Sequence, residues 1–209
     1  MADRDEIDLS RMDIIRLSPS RINEYQQCPK LYHYRVIEKL PEPLSLDAIR
    51  GTLVHNILEE LLALPTGSRT LEIAQANIEK HWNKLKDEHS ELSQLVTSEI
   101  EWVDRVKSLL TSYFQLENPQ SFQPTHMESH LELQPTGNIQ LHGYVDRIDV
   151  ATTGEVRIVD YKTGKSPRSG YEEKALFQLR FYALLWWRLH DEVPKLLQLL
   201  YLGDQRSLK

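Results

Sequence analysis

The chain has 209 residues, 40% of them hydrophobic and 27% charged, a balance that predicts one ordinary globular domain in water. Its one cysteine, Cys28, excludes a disulfide framework within the chain and any metal site built from several of its thiolates. The acidic opening MADRDEIDL is no secretory signal, no stretch approaches membrane length, and the expected setting is a reducing cytoplasm without membrane contact. The formal net charge of -6 weighs against a surface that attracts nucleic acid everywhere, and is compatible with basic residues that line one groove.

Residues 1–16 read as a poorly ordered leader. Ser18-Pro19 then opens a helix, with Ser18 as N-cap and Pro19 at the first helical position. Pro29 interrupts it, Leu31–Val36 resumes it, and Pro41 and Pro43 mark a linker. The spacing of Leu46, Ile49, Leu53, Ile57 and Leu61 predicts a helix over 46–63, ended by Pro65 and Gly67. Two further helices are expected over 70–87 and 92–116, and they complete a helical region, 18–118.

An α/β region follows over 126–204. Strands are expected at 126–134, 139–150 and 155–161, then a long apolar helix at 171–190 and a leucine-rich strand at Leu196–Leu202. A helix crossing between strands of one sheet predicts a mixed α/β layer fold in a single domain, 1–209. Nothing after Leu202 is predicted to cover the last strand, so the expectation is a domain lacking a C-terminal segment.

The chemistry concentrates on the second and third strands. Joined as a hairpin about Thr153, they set Val150 against Val156, Ile148 against Ile158 and Asp146 against Asp160. Opposed residues stand roughly 4.5–5.5 Å apart at Cβ, so two carboxylates there repel unless a divalent cation accepts both. Lys162 shares the strand parity of Asp160, and a lysine beside a metal orients water or offsets phosphoryl charge. The Tyr161 carbonyl lies between them as a further candidate ligand. The competing reading, strand ends in solvent neutralised by Lys162 and Arg147, stays open on spacing alone. Asp149, of opposite parity, is expected to be structural.

His55 follows Gly51 on the second helix. A glycine there costs roughly 0.5–1 kcal/mol against alanine, which suggests close approach of another backbone. On its residues alone, His55 is more readily a half-buried histidine with a local acceptor than a ligand. Gln178 and Tyr182, four apart, share a face of the long helix, where a buried glutamine needs partners. Trp186 and Trp187 read as packing residues.

Five segments occur in one order: LSPSRINEYQQCPKLYHY (17–34), RGTLVH (50–55), GYVDRID (143–149), VDYKTGK (159–165) and QLRFYAL (178–184). On these the chain resembles a RecB-like nuclease domain of the PD-(D/E)XK superfamily, similar to bacterial recombination exonucleases and to nucleases of CRISPR adaptation. The resemblance implies a restriction-endonuclease-like core behind an N-terminal helical region. It implies that His55, Asp146 and Asp160 are metal ligands, that Lys162 is the catalytic lysine, and that Gln178 and Tyr182 support the site. Glu128 resembles an acidic position sometimes found near it. The implied cofactor is Mg²⁺ or Mn²⁺. The implied reaction is hydrolysis of DNA with single-stranded ends by an exonuclease, in DNA repair, recombination or CRISPR adaptation, with a helicase as a class of partner. Arg21, Lys30, Arg35 and Arg50 are candidates for phosphate contacts. In many relatives a cysteine at the place of Cys28 is the first ligand of a [4Fe–4S] cluster, which this sequence cannot form by itself; a full-length form with a cysteine-rich tail would supply the rest. Two alternatives stand beside this reading: a DNA-binding scaffold that keeps the fold without activity, and a metallohydrolase of small phosphoesters.

Overall fold

A computed structural model describes residues 14–209. The leader expected over residues 1–16 lies outside the described residues as far as residue 13. Beyond that the expectation is corrected, because Ile15–Leu17 form a strand, β1, which runs parallel to Ile139–Leu141. Three residues are too few to show a period, and the partner that makes them a strand lies far along the chain.

Helix α1 (Pro19–Gln27) starts as its cap predicts: the Ser18 hydroxyl accepts from the Arg21 N–H. Pro29 restarts the chain as α2 (Pro29–Tyr32), which widens into a π-helical turn over His33–Ile37. Helix α3 (Leu46–Ala63) is capped by Ser45. The two helices expected next each divide. Helices α4 (Leu71–Ala76) and α5 (Ile78–Glu88) meet at Asn77. Helix α6 (Leu92–Leu95) ends before Ser98, whose hydroxyl caps the start of α7 (Glu99–Leu116).

The strands β2 (His126–Thr136), β3 (Ile139–Val150) and β4 (Val156–Lys162) follow, then α8 (Glu173–His190) and β5 (Leu196–Tyr201). Strands β4 and β5 are parallel, joined by α8 as the crossover. The uncovered last strand is a second correction: β6 (Arg206–Leu208) pairs antiparallel with β5. The turn into β6 needs Gln205 at a φ of 56° and leaves no periodic pattern to read.

Helices lie on both sheet faces. On one side, Leu53 and Ile57 of α3, Trp82 of α5 and Leu110 of α7 pack in one cluster with Val159, Tyr161 and Leu200. On the other, Leu179 and Leu185 of α8 pack with Val145, Ile148, Ile158 and Leu199. Each such side chain, fully buried, contributes roughly 1.5–3 kcal/mol.

Strand β3 places the functional residues. One edge pairs with β2 along most of its length. The other edge is divided: β1 takes Ile139–Leu141 and β4 takes Arg147–Val150. Among the described residues, 142–146 therefore have no strand neighbour on that edge, and the sheet opens as a fork. The two-residue alternation also slips here. Val145 and Ile148, three apart, both face α8, whereas a regular strand would send them to opposite faces. Glu128, between Met127 and Ser129, which pair with Arg147 and Val145, has a φ of 46°. A left-handed backbone at such a residue costs on the order of 1–3 kcal/mol and clusters at functional sites.

Candidate metal centre

The hairpin has the register that its hydrophobic residues predict. Val150 faces Val156, Ile148 faces Ile158, and Arg147 faces Val159 as the last paired rung. Asp146 and Asp160 stand one step further, at the fork. There the Asp146 carboxylate takes the place of a rung by accepting from the Tyr161 N–H at 2.6 Å. Asp149 points away, as expected, and pairs with Arg147 at 3.2 Å and Arg157 at 2.7 Å. Arg147 therefore does not neutralise Asp146.

Asp160 is 2% exposed. Its Oδ1 accepts from Gln178 Nε2 at 2.8 Å, and its Oδ2 lies 2.7 Å from Lys162 Nζ. That oxygen has no well-directed hydrogen bond, so it retains a free lone pair. Lys162 Nζ donates to Gln178 Oε1 at 2.8 Å, and Gln178 Nε2 also donates to the Tyr182 hydroxyl at 2.9 Å. One glutamine thus holds the lysine, the carboxylate and the tyrosine together. Tyr182 in turn packs against Gly143, where an added Cβ would stand 2.6 Å from the ring.

His55 of α3 reaches the same place from the opposite layer. Its Nε2 lies 3.0 Å from the Tyr161 carbonyl oxygen and its Nδ1 3.5 Å from Asp146. Ligand atoms of His55, Glu128 and Asp146 all lie within 4.8 Å of one another. Burial alone would lower the His55 pKa, but the carboxylates of Asp146, Asp160 and Glu128 outweigh it and raise the group to about 9. Burial, with Asp146 next to it, pushes Glu128 up to about 7. The same two causes, in the same order, hold Asp160 above its ordinary value. Three carboxylates share one lysine and one imidazole, which is an excess of negative charge with no protein partner to balance it. Oxygen donors with a single nitrogen suit a hard or borderline divalent cation such as Mg²⁺ or Mn²⁺. The Asp160 oxygen beside Lys162 and the clustered donors of His55, Glu128 and Asp146 fit that ion.

Two clefts meet at this point. One of about 670 Å³ is lined by Gly51, His55, Glu128, Lys162 and Lys165 among others. The second, about 550 Å³, opens through the fork and is lined by residues that include His142, Tyr144, Lys162 and Gln178. Lys162 is common to both. None of Arg21, Lys30, Arg35 and Arg50 lines either cleft. Arg35 pairs with Glu24 and Glu42, and Arg50 with Asp47. Lys30 lies over the Tyr34 ring, and Arg21 donates to the Arg16 carbonyl. Cys28 is a half-buried free thiol between α1 and α2. Trp186 is core and Trp187 is 43% exposed.

The turn from β5 to β6 escapes the sequence reading. The Leu202 N–H donates to the Lys162 carbonyl at 2.8 Å and the Gly203 N–H to the Gly164 carbonyl at 3.1 Å. The Asp204 carboxylate accepts from both the N–H and the hydroxyl of Ser166. A Cβ at Gly203 would stand 2.6 Å from the Gly164 oxygen. This is the close backbone approach that Gly51 was expected to serve. At Gly51 the nearest atom to an added Cβ is Thr163 Oγ1 at 3.7 Å, an ordinary contact. The signal at 202–204 was a Leu-Gly-Asp triplet directly after a strand, which reads only as a turn.

A sequence model of the PD-(D/E)XK nuclease superfamily matches residues 16–209. The chain is also similar to the Gene 69 protein of Mycobacterium phage D29, at 25% identity over 190 residues that cover 80% of this chain and 67% of that protein. No helix among the described residues is long and apolar enough to cross a membrane.

Proposed function

The chain belongs to the PD-(D/E)XK nuclease superfamily, and from that premise we propose that it is a divalent-metal-dependent deoxyribonuclease that hydrolyses phosphodiester bonds, acting as an exonuclease on DNA with single-stranded ends. The observation that carries the reading is the placement of Lys162. It touches the most buried carboxylate, Asp160, and borders both clefts, so a chain passing from one cleft to the other lays a phosphate beside it.

The residues divide the work. His55, Glu128, Asp146 and Asp160, with the Tyr161 carbonyl, would hold the cation. When bound, that ion supplies a Lewis acid for the phosphoryl oxygens and lowers the pKa of a water molecule. Lys162 offsets charge that develops on the phosphate and directs a proton donor at the reacting oxygen. Gln178 fixes the lysine, and Tyr182 fixes Gln178. The loop Thr163–Ser166 is pinned from the β5–β6 turn, which keeps Lys162 from moving outward. Mn²⁺ suits the histidine donor better than Mg²⁺ does. The cellular setting of this reading is the cytoplasm, in repair, recombination or CRISPR adaptation, with a helicase as the partner class. A [4Fe–4S] cluster would need thiolates from outside this sequence, of which Cys28 is the single thiol.

The test is a time course on end-labelled single-stranded and duplex DNA with Mn²⁺ or Mg²⁺, beside the Asp160→Ala variant. Stepwise release of short products by the parent, requiring metal and absent in the variant, is the expected result. DNA binding without any cleavage under either metal would leave a scaffold instead.

A further inference from the structure

The second cleft carries features that the metal centre does not use. On the β2–β3 ribbon beyond the fork, His130 pairs across the strands with Tyr144. Their rings lie 4.7 Å apart at 33°, and His130 also approaches His142 at 5.9 Å. Tyr144 is 58% exposed. The three rings share the face opposite the one on which Gly143 meets Tyr182, and neither buried cluster includes them. Both ring nitrogens of His142 are shielded from water without a hydrogen-bond partner. Arg16 and Arg21 lie near enough to act on the His142 charge. Arg21 is the one of the four cationic candidates that falls beside this patch, and Glu132, paired with Arg16, is the acidic group there. His142 and Tyr144 also line the cleft that contains Lys162.

We propose that His130, His142 and Tyr144 form a stacking platform for unpaired bases of single-stranded DNA, which delivers the adjoining phosphate to Lys162 through the fork. This rests on the nuclease reading and deepens it by naming the surface that selects unpaired strands. The exposed rings of His130 and Tyr144 have little reason to gather beside a polar cleft unless something flat covers them. Bases do so whatever their sequence, because each has a π face, and guanidinium groups nearby meet the phosphates. A duplex hides its base faces and gains nothing from the platform.

The test is equilibrium binding of a fluorescent oligo-dT of about fifteen nucleotides and of a duplex of equal length, with Ca²⁺ in place of the catalytic cation. Tyr144→Ala and His130→Ala should each weaken the single strand by roughly 5- to 160-fold, the range that one base–aromatic stack supplies, and leave the duplex within about twofold. Tyr144→Phe should retain the affinity, which separates stacking from the hydroxyl. Equal binding by Tyr144→Ala and the parent, or equal losses for strand and duplex, would overturn the platform. Failure of the parent to cut any DNA with Mn²⁺ would instead count against the nuclease reading, since the binding arms need no turnover.

Discussion

Two ionic clusters are built on the same hairpin, and the proposed metal site rests on the difference between them. On one side of β3, Arg147 and Arg157 meet Glu117 and Asp149, two cations against two carboxylates. Arg147 has no exposed side-chain surface, grips Glu117 with two bonds of 2.8 Å and touches the Tyr161 hydroxyl at 2.6 Å. One residue back along β3 begins the other cluster, where Glu128, Asp146 and Asp160 share Lys162 and His55. The first cluster is balanced by the protein itself. The second carries a charge excess that a proton on Glu128 or the proposed cation would balance, and the strained Glu128 backbone adds to its cost. A buried charge excess kept at that cost, at the meeting point of two clefts, is how a metal-dependent site differs from a structural ion network.

The sharpest way to break the comparison is to remove one carboxylate from each cluster. Asp160→Asn should lower metal-dependent cleavage by on the order of 10³-fold, since it removes a ligand and the partner of Lys162 together. The same variant should raise the metal-free melting temperature, because it relieves repulsion from Asp146. Glu117→Gln should do the reverse, lowering the melting temperature because two arginines lose their anchor. Scanning calorimetry in chelator reads both signs in one experiment; two shifts of the same sign would dissolve the distinction. Next in size is Arg147→Ala, expected to destabilise by about 3–5 kcal/mol, as loss of one partner from a buried pair does. Urea unfolding monitored through the tryptophans measures it.

Smaller effects should separate positioning from ligation. Gln178→Ala leaves every ligand in place but frees Lys162, and a loss of about 10- to 100-fold in kcat with little change in metal affinity is expected. A KM rise at constant kcat would instead make Gln178 a substrate contact. Asp204→Ala should follow the same pattern more weakly, because it loosens only the loop after Lys162.

These residues also show what could be read before any fold was known. The hairpin register followed from matching Val150 with Val156 and Ile148 with Ile158, since one face is buried and a slip would expose it. That placed Asp146 and Asp160 together and separated Asp149 from them. The resemblance to RecB-like nucleases supplied His55, which its own surroundings in the sequence did not favour. What stayed hidden depends on long-range pairing. Strand β1 exists because β3 lends it an edge, β6 because β5 does. The left-handed Glu128 and the fork have no period to announce them. Gly203 matters through the Gly164 carbonyl, a contact between two loops that no local pattern encodes.

The finest test of the comparison is the pH dependence of metal-free stability. His55 and Glu128 both have folded pKa values above their ordinary ones, at about 9 and about 7. The folded state then holds more protons than the unfolded chain through that range, so stability is fully present below about pH 4.5 and falls as pH rises toward 9. Thermal melts in chelator should therefore decline between pH 5 and pH 9. A saturating divalent cation competes with those protons, so its stabilisation should grow over the same interval and flatten the decline. Glu128→Gln should remove much of the loss between pH 5 and pH 7 and leave the part above, where His55 titrates. The neighbouring cluster gives a contrast: Asp149→Asn removes a carboxylate that touches arginines alone and should lower the melting temperature. A slope unchanged by Glu128→Gln and untouched by Mn²⁺ would mean that the protons lost on unfolding reside elsewhere, and that the carboxylates at the fork do not act as one site.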